Sequence, residues 1–487
     1  MTNHWIDLQH GDVILLQGSN AAENHPISFK WIMKAKERGA IVIHVDPRFT
    51  RSSSKADIYT PLRPGTDIAL FGGMINYIIE KEKYFKEYVV NYTNASFIVN
   101  DKFDFHDGLF SGYNPATRKY DKSTWTIQKD EKGIPVKDPT LQHPRCVFQL
   151  LKKHYSRYDI ETVSRITGTP VKDLLKVYEA YASTGVPDRA GTILYALGQT
   201  QHTSGVQNIR ALSIIQLLLG NIGICGGGVN ALRGEPNVQG STDFAILYDS
   251  LPGYLKAMTV STKTLEDYLK KNTPVSKDPM SANWYQNYPK YMVSLLKAWF
   301  GDRATKENEF GYSWLPRLDD GQICDVLNMI DNMSKGKIKG LICVAQNPAC
   351  SLPNSNKVRE AFKNLDWMVH VNIFNNETAS FWKGPGMDPQ KIKTEVFLLP
   401  AAASVEKEGS QTNSGRWVQW KYEAAKAPGD CIYTGDIIIR LVSKLKELYR
   451  TDKKAVFPDP ILNLKWDYTD NKGRMDVVKV SKTINGY

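Results

Sequence analysis

Residues 12–48, DVILLQGSNAAENHPISFKWIMKAKERGAIVIHVDPR, carry the alternation that decides the fold class. Asp12–Gln17 reads as a short apolar strand and Gly18-Ser19-Asn20 as the turn after it. Ile27–Arg38 reads as a helix opened by Pro26 and stopped by Gly39. Ala40–Val45 is apolar throughout, as a parallel strand covered on both faces should be. Asp57–Pro61 gives another short strand, Arg63–Asp67 a turn, and the residues through about Glu80 a helix. Downstream, Thr192–Leu197 is a buried strand ending at Gly198, and Gln199-Thr200-Gln201-His202 reads as the loop after it. A helix follows over Val206–Leu219, with Ala211, Ile214, Ile215 and Leu218 on one face. Strand, helix and strand in this order predict an α/β doubly wound parallel sheet.

A second unit of the same kind follows. Gly340–Ala345, Trp367–Val371 and Glu395–Leu399 read as strands, with a helix near Ser355–Asn364. Between the two units, residues 244–330 are aromatic-rich connecting structure, read as core and lid packing. Residues 81–160 read as an elaboration on the outside of the first sheet; helices are expected at Pro144–His154 and, beyond it, at Pro170–Ala182. His143-Pro144-Arg145-Cys146 reads as a polar turn there. After Glu406–Trp420, which is polar and punctuated by glycine, Gly435–Tyr449 reads as an amphipathic helix. The expected organisation is 1–235, 236–405 and a return segment with tail over 406–487.

Ligands of doubly wound sheets bind beyond the carboxyl ends of the strands. Gly18–Glu23, Asp46–Arg48 and Arg63–Asp67 all fall there. Asp46 suits hydrogen bonds from a ribose or a guanine, and Arg48 and the Gly65-Thr66 amides suit phosphate. A strand end and a helix cap would use the same residues. The first turn reads GSNAAE and lacks the G-x-G-x-x-G of a nicotinamide-binding fold. The densest signal is Gly220–Asp243, GNIGICGGGVNALRGEPNVQGSTD, where glycines surround Arg233 and the amides Asn230, Asn237 and Gln239. Glycine permits close backbone approach, and an embedded Arg suits an anion. His202 reads equally as a ligand contact or a helix cap.

Composition narrows the class. The net charge is +11, but Lys and Arg are interspersed with Asp and Glu, as on a solvated basic surface rather than a nucleic-acid groove. No apolar run is long enough for a membrane helix, so no direct membrane insertion is expected, and MTNHWIDLQHGD has no signal-peptide pattern. The six cysteines contain no C-x-x-C, which argues against an iron–sulfur or zinc cluster within this sequence.

TQHTSGVQNIR (200–210), QLLLGNIG (216–223), GGGVNALRG (226–234) and NVQGSTD (237–243) stand in an order and spacing that resemble the pterin-binding centre of formate dehydrogenase catalytic subunits. These belong to the molybdopterin oxidoreductase (dimethyl sulfoxide reductase) family. The likeness is to the respiratory type with selenocysteine at the metal, and it runs from Met1 to about Trp466. It implies two Rossmann-like units facing a shared pterin cleft, with two molybdopterin guanine dinucleotides and one Mo or W. Arg233, in the LRG motif, would position formate.

With the strand-end loops, the resemblance gives these candidate cofactor contacts: Gly18, Asn20, Glu23, Asp46, Arg48, Gly65 and Asp67; Gly198, Thr200, Gln201 and His202; Gly226, Gly227 and Gly234; and Gln346, Asn347, Thr378, Asn413 and Arg416. Glu235 departs from relatives that carry an amide or His after LRG. No metal ligand is assigned within the chain. The selenocysteine, a [4Fe-4S] domain and a C-terminal β-rich domain are expected outside it. Met1 would then be an internal methionine of a longer selenoprotein, and the chain alone would be inactive. Implied partners are formate, an iron–sulfur β subunit and a cytochrome subunit, on the periplasmic side. Three readings stay open: a non-catalytic pterin-nucleotide-binding remnant, a family member acting on another small oxyanion, and a nicotinamide enzyme with an unusual phosphate loop.

Overall fold

The computed structural model describes residues 2–106 and 108–484. The chain forms two compact units. The first comprises Met1–Gln239, Ser276–Ala282 and Thr412–Val418, and the second Gly240–Val275, Asn283–Gln411 and Gln419–Tyr487.

The first unit is built on a parallel sheet of β1 (Val13–Gln17), β2 (Ile41–Val45), β3 (Ile58–Thr60), β4 (Gly191–Tyr195) and β5 (Val229–Ala231). Its strand order is β3-β2-β1-β4-β5. Strand β1 lies in register with both neighbours, so that Gln17 stands between Val45 and Tyr195. All five β1 residues are buried, because alternate side chains feed opposite cores. Val13 and Leu15 join Leu70, Phe71, Ile75, Tyr178 and Ile215 on one face. These come from α2 (Asp67–Glu80), α3 (Val171–Ala182) and α4 (Gly205–Leu219). Ile14 and Leu16 face Phe29, Ile32 and Ala35 of α1 (Pro26–Glu37) on the other. Each fully buried aliphatic or aromatic side chain contributes about 1.5–3 kcal/mol.

Two results differ from the sequence reading. Leu197–Thr200 is a helical turn rather than a loop, following directly on the short extended link from β4. The glycine segment also contributes a strand, β5. Helix α4 ends at Gly220 in a left-handed conformation (φ 73°), and the chain doubles back to the amino end of the sheet. Gln216 Nε2 donates there to the Gly191 and Gly228 carbonyls at 2.8 and 2.7 Å. Asn221 Oδ1 accepts from the Gly191 N–H at 2.9 Å. These two buried amides tie β5 to β4.

Residues 97–146 form short antiparallel pairs around a ring cluster that includes Phe105, Phe110, Tyr120 and Trp125. Asp138 organises the turn ahead of His143, accepting backbone N–H groups from Thr140, Gln142 and His143. Cys146 is buried, donating its thiol to the Ala95 carbonyl.

The second unit contains a three-stranded parallel sheet of β6 (Gly340–Val344), β7 (Trp367–Asn372) and β8 (Glu395–Pro400), in that order. Helices α6 (Val326–Ser334) and α7 (Ser355–Phe362) pack on it through Ile330, Met333, Val358, Phe362 and Met368. The aromatic stretch before it forms a separate core of Tyr268, Tyr312 and, from α5 (Tyr288–Phe300), Met292, Leu296 and Phe300. The long helix α8 spans Thr434–Thr451. Among the described residues, no helix is long and apolar enough to cross a membrane.

Candidate functional site

At the centre of the first sheet, whose strands are all parallel, the direction in which successive strands are added reverses. β1 leads toward β2 and β3 on one side, and β4 leads to β5 on the other. The turns after β1 and β4 meet above this point. Gly18 has φ +60°, and Gly198 donates its N–H to the Gly18 carbonyl at 3.2 Å. The two glycines open the mouth of a pocket of about 710 Å³. Its wall combines Gln17, Ser19 and Asn20 after β1, Asp46 and Arg48 after β2, and His202 and Gly234 beyond β4 and β5.

Below the mouth, Asp67 accepts hydrogen bonds from Gln17 Nε2 (3.0 Å) and Gln199 Nε2 (2.8 Å) on one oxygen. Its other oxygen lies 3.8 Å from His202 Nε2. The carboxylate thus orients both amides of the switch point. His44, fully buried on β2, supports the Ser19 turn. Its Nε2 donates to the Ser19 carbonyl (3.2 Å) and its Nδ1 accepts the Ser53 hydroxyl proton (2.8 Å). Burial holds this imidazole below its ordinary range, outweighing the opposing pull of Asp46. A neutral ring suits this pairing, since each nitrogen then has one defined role.

Gln17 Oε1, Ser19 Oγ and His25 Nδ1 are buried without a partner, and all three residues line the pocket. Buried polar atoms of this kind carry a desolvation cost of about 1–3 kcal/mol each unless a ligand meets them. A polar ligand rich in both donors and acceptors fits this wall. His25 also links the pocket to Arg233. Its Nε2 donates to the Arg233 carbonyl at 2.8 Å, and the Arg233 N–H donates to Ser414 Oγ at 3.1 Å. The guanidinium charge is felt at Tyr195, whose phenol is pushed up by burial and drawn back by Arg233.

The structure gathers Gly18, Asn20, Asp46, Arg48, Asp67, Gly198, His202 and Gly234 around one pocket. Glu23 sits on the adjoining helical turn, bonded to Asn20 and paired with Arg51 at 3.1 Å. Gly65 lies exposed beside the pocket residue Pro64. Thr200 and Gln201 are exposed on the turn between Gly198 and His202.

Gly226 and Gly227 stand at the amino end of the sheet, away from this pocket. An added Cβ on Gly226 would meet the His10 carbonyl carbon at 2.5 Å, and one on Gly227 would meet the Asn221 carbonyl oxygen at 2.2 Å. Asn413 closes its own turn by accepting the Trp417 N–H, and Arg416 Nη1 donates to the Thr2 carbonyl at 2.6 Å.

In the second unit, Gln346, Asn347 and Thr378 cluster beyond β6 and β7. The Thr378 hydroxyl donates to Asn347 Oδ1 at 2.9 Å, and the Gln346 carbonyl accepts from Asn372 and Asn376. Sequence reasoning missed Gln17, Asn24, His25 and Thr50. Gln17 carries a positional signal as the last residue of β1, whereas Asn24, His25 and Thr50 lie five to eight residues beyond a strand end and carry none.

A doubly wound parallel sheet with a polar pocket at its switch point defines a protein whose ligand site lies beyond the carboxyl ends of the strands. Residues 1–444 match the molybdopterin oxidoreductase family, and the chain belongs to it.

Over its whole length the chain is 59% identical to the formate dehydrogenase subunit alpha of Megalodesulfovibrio gigas, covering 48% of that protein. It is 54% identical to the formate dehydrogenase 2 subunit alpha (cytochrome c-553) of Nitratidesulfovibrio vulgaris, covering 100% of this chain and 47% of that one. Against the nitrate-inducible formate dehydrogenase major subunit of Escherichia coli the identity is 48%, over 100% of this chain and 48% of the relative. The chain therefore spans about half the length of the curated relatives it matches. Among solved structures, acetylene hydratase from Pelobacter acetylenicus shares the fold. It has a TM-score of 0.52 and 17% identity over 91% of this chain and 50% of that one.

The family implies a molybdopterin cofactor with Mo or W. The unpartnered atoms of Gln17, Ser19 and His25 fit such a polar group.

Proposed function

We propose that this chain is the central part of a formate dehydrogenase catalytic subunit. Its first-unit pocket would hold the nucleotide end of one of two molybdopterin guanine dinucleotides. The observation that carries this reading is the hydrogen bond between the pocket residue His25 and the Arg233 carbonyl, in a chain whose relatives are named as formate dehydrogenase alpha subunits. Asp46 accepts from the ribose or the guanine, and Arg48 with the Gly65 and Thr66 amides receives phosphate. Gln17, Ser19 and His25 complete the polar wall. Arg233 holds formate, because a planar guanidinium matches a carboxylate with two parallel hydrogen bonds. Gln346, Asn347 and Thr378 serve the second dinucleotide, and Asn413 and Arg416 support a pterin.

When bound, the metal–pterin group supplies the acceptor for the two electrons that formate gives up. Its protein ligand, a selenocysteine or cysteine, comes from polypeptide outside this sequence. In the complete periplasmic enzyme, electrons pass through a [4Fe-4S] cluster to an iron–sulfur subunit and a cytochrome.

The test is Arg233→Lys in the complete subunit. Metal and pterin content should remain unchanged while kcat/KM for formate falls about a hundredfold, the scale of a substrate misplaced by about 1 Å. Loss of metal and pterin instead would make Arg233 a cofactor-holding residue and overturn its assignment to formate.

A further inference from the structure

The amino end of the first sheet carries a cluster that the cofactor reading does not use. Asp7, His10 and Cys225 each offer one ligand atom, and these three atoms lie within 4.8 Å of one another. We propose that this trio is a binding site for a borderline-soft divalent cation of the Zn²⁺ type, independent of the molybdopterin pocket.

The chain builds the trio from two segments. Asp7 and His10 lie three residues apart in the 3₁₀ helix Trp5–His10. Side chains at this spacing eclipse one another in a 3₁₀ helix, so the carboxylate and the imidazole share one side. Cys225 arrives from the glycine loop 218 residues away, with its Sγ 2.7 Å from Asp7 Oδ1. Two features hold it there. Gly226 has φ +75° and lies against the His10 backbone, closer than any side chain would allow. Asp7 Oδ2 is fixed by the Gly226 N–H at 2.8 Å and by Asn3 Nδ2 at 2.6 Å. Asn3 Nδ2 also donates to the Ile224 carbonyl at 3.0 Å. The carboxylate is thus oriented by its neighbours, leaving Oδ1 toward the thiol. Such supporting hydrogen bonds commonly preset metal ligands.

Thiolate, imidazole and carboxylate make the donor set that Zn²⁺ prefers. In a tetrahedral site the ligand atoms stand about 3.3–3.7 Å apart, so only small side-chain rotations are needed. Cys225 and His10 are both exposed, which leaves a fourth position for water. Binding replaces the thiol proton that Cys225 shares with Asp7. The proton leaves to solvent, and thiolate and carboxylate together balance the divalent charge. Arg38, whose charge acts on Cys225, is engaged by the Gln9 and Gly11 carbonyls at 3.1 and 3.3 Å, and Arg416, which lines the same surface hollow, donates to the Thr2 carbonyl at 2.6 Å. The bound cation would pin the segment before β1 to the loop before β5.

The test is titration of the full chain with Zn²⁺ by calorimetry, and with Co²⁺ by absorbance. One equivalent should bind, and the Co²⁺ form should show a thiolate charge-transfer band. Cys225→Ser should abolish that band and His10→Gln should weaken binding at least tenfold. Because both side chains are exposed, neither change should disturb the fold. Asn3→Ala should weaken binding by about ten- to a hundredfold through loss of Asp7 orientation. Cys350→Ser, at another exposed thiol, should change nothing. Absence of saturable binding, or binding unaltered by Cys225→Ser, would overturn the proposal.

Discussion

Gly18 and Gly198 meet backbone to backbone at the switch point of the first sheet. A Cβ on Gly198 would lie 2.6 Å from the Gly18 Cα, and one on Gly18 would lie 2.8 Å from the Gly198 carbonyl carbon. Neither neighbour is a flexible side chain that could yield. Gly198→Ala should therefore force the β1 and β4 turns apart, costing about 1–3 kcal/mol in urea unfolding. Gly18→Ala should cost more, since its positive φ adds strain to the clash. Both variants of the complete subunit should lose cofactor content. Retention of full content and stability would show that the two turns separate easily.

Asp67 offers a sharper separation of shape from charge. Asp67→Asn keeps an acceptor oxygen for Gln17 Nε2 and Gln199 Nε2. Asp67→Ala leaves both buried amides without one. The alanine variant should lose about 2–6 kcal/mol, from two unmet donors at about 1–3 kcal/mol each. The asparagine variant should lose less than half of that. Equal losses in thermal or urea melts would mean that the carboxylate charge, not acceptor geometry, holds the switch point.

Acid should weaken the fold from about pH 6.5 downward. Burial lowers the pKa values of His44, His154 and His370 from the ordinary 6.5. Unfolded, these rings take up protons near that value; folded, they resist. Stability is fully present above about pH 6.5 and is lost as pH falls from there through the folded-state values. Each ring contributes a slope of about 1.4 kcal/mol per pH unit within its window. His44→Gln can preserve a donor to the Ser19 carbonyl and should flatten the profile by one proton. The check is unfolding free energy measured across this range for both proteins. An unchanged slope would place the titration elsewhere.

Two glycines of one segment should behave in opposite ways. Gly226→Ala meets backbone at 2.5 Å with φ +75°, whereas an added Cβ on Gly234 has no neighbour within 4 Å. The first should lower the midpoint of unfolding even without cofactor. The second should leave it unchanged and act only on what enters the pocket. Calorimetric melts of the apo chain distinguish the two.

The parallel strands were legible because strands covered on both faces demand unbroken apolar runs, as in Val13–Leu16 and Ile41–Ile43. Strand β5 was hidden. It is only three residues long, and the glycines before it mark close backbone approach without saying what approaches. At Gly18 the neighbour is another turn at the pocket mouth, whereas at Gly226 it is the His10 backbone. Glycine pattern alone reads the same in both places. The pocket candidates that came together were those at strand ends, where topology sets position. His25 carried no motif. Its importance follows from a hydrogen bond across 208 residues of chain, a relationship that local patterning cannot encode.

The Arg233 turn rests on Ser414, which lies 181 residues further along. A ribosome adding about 5–20 residues per second needs roughly ten to forty seconds to reach that serine after making the arginine. During that interval the sheet can assemble, but the turn bearing the guanidinium lacks this clasp. The chain's own order of emergence thus makes the Arg233 corner one of the last parts of the first unit to set, delaying a fixed conformation of this turn until most of this sequence has been made.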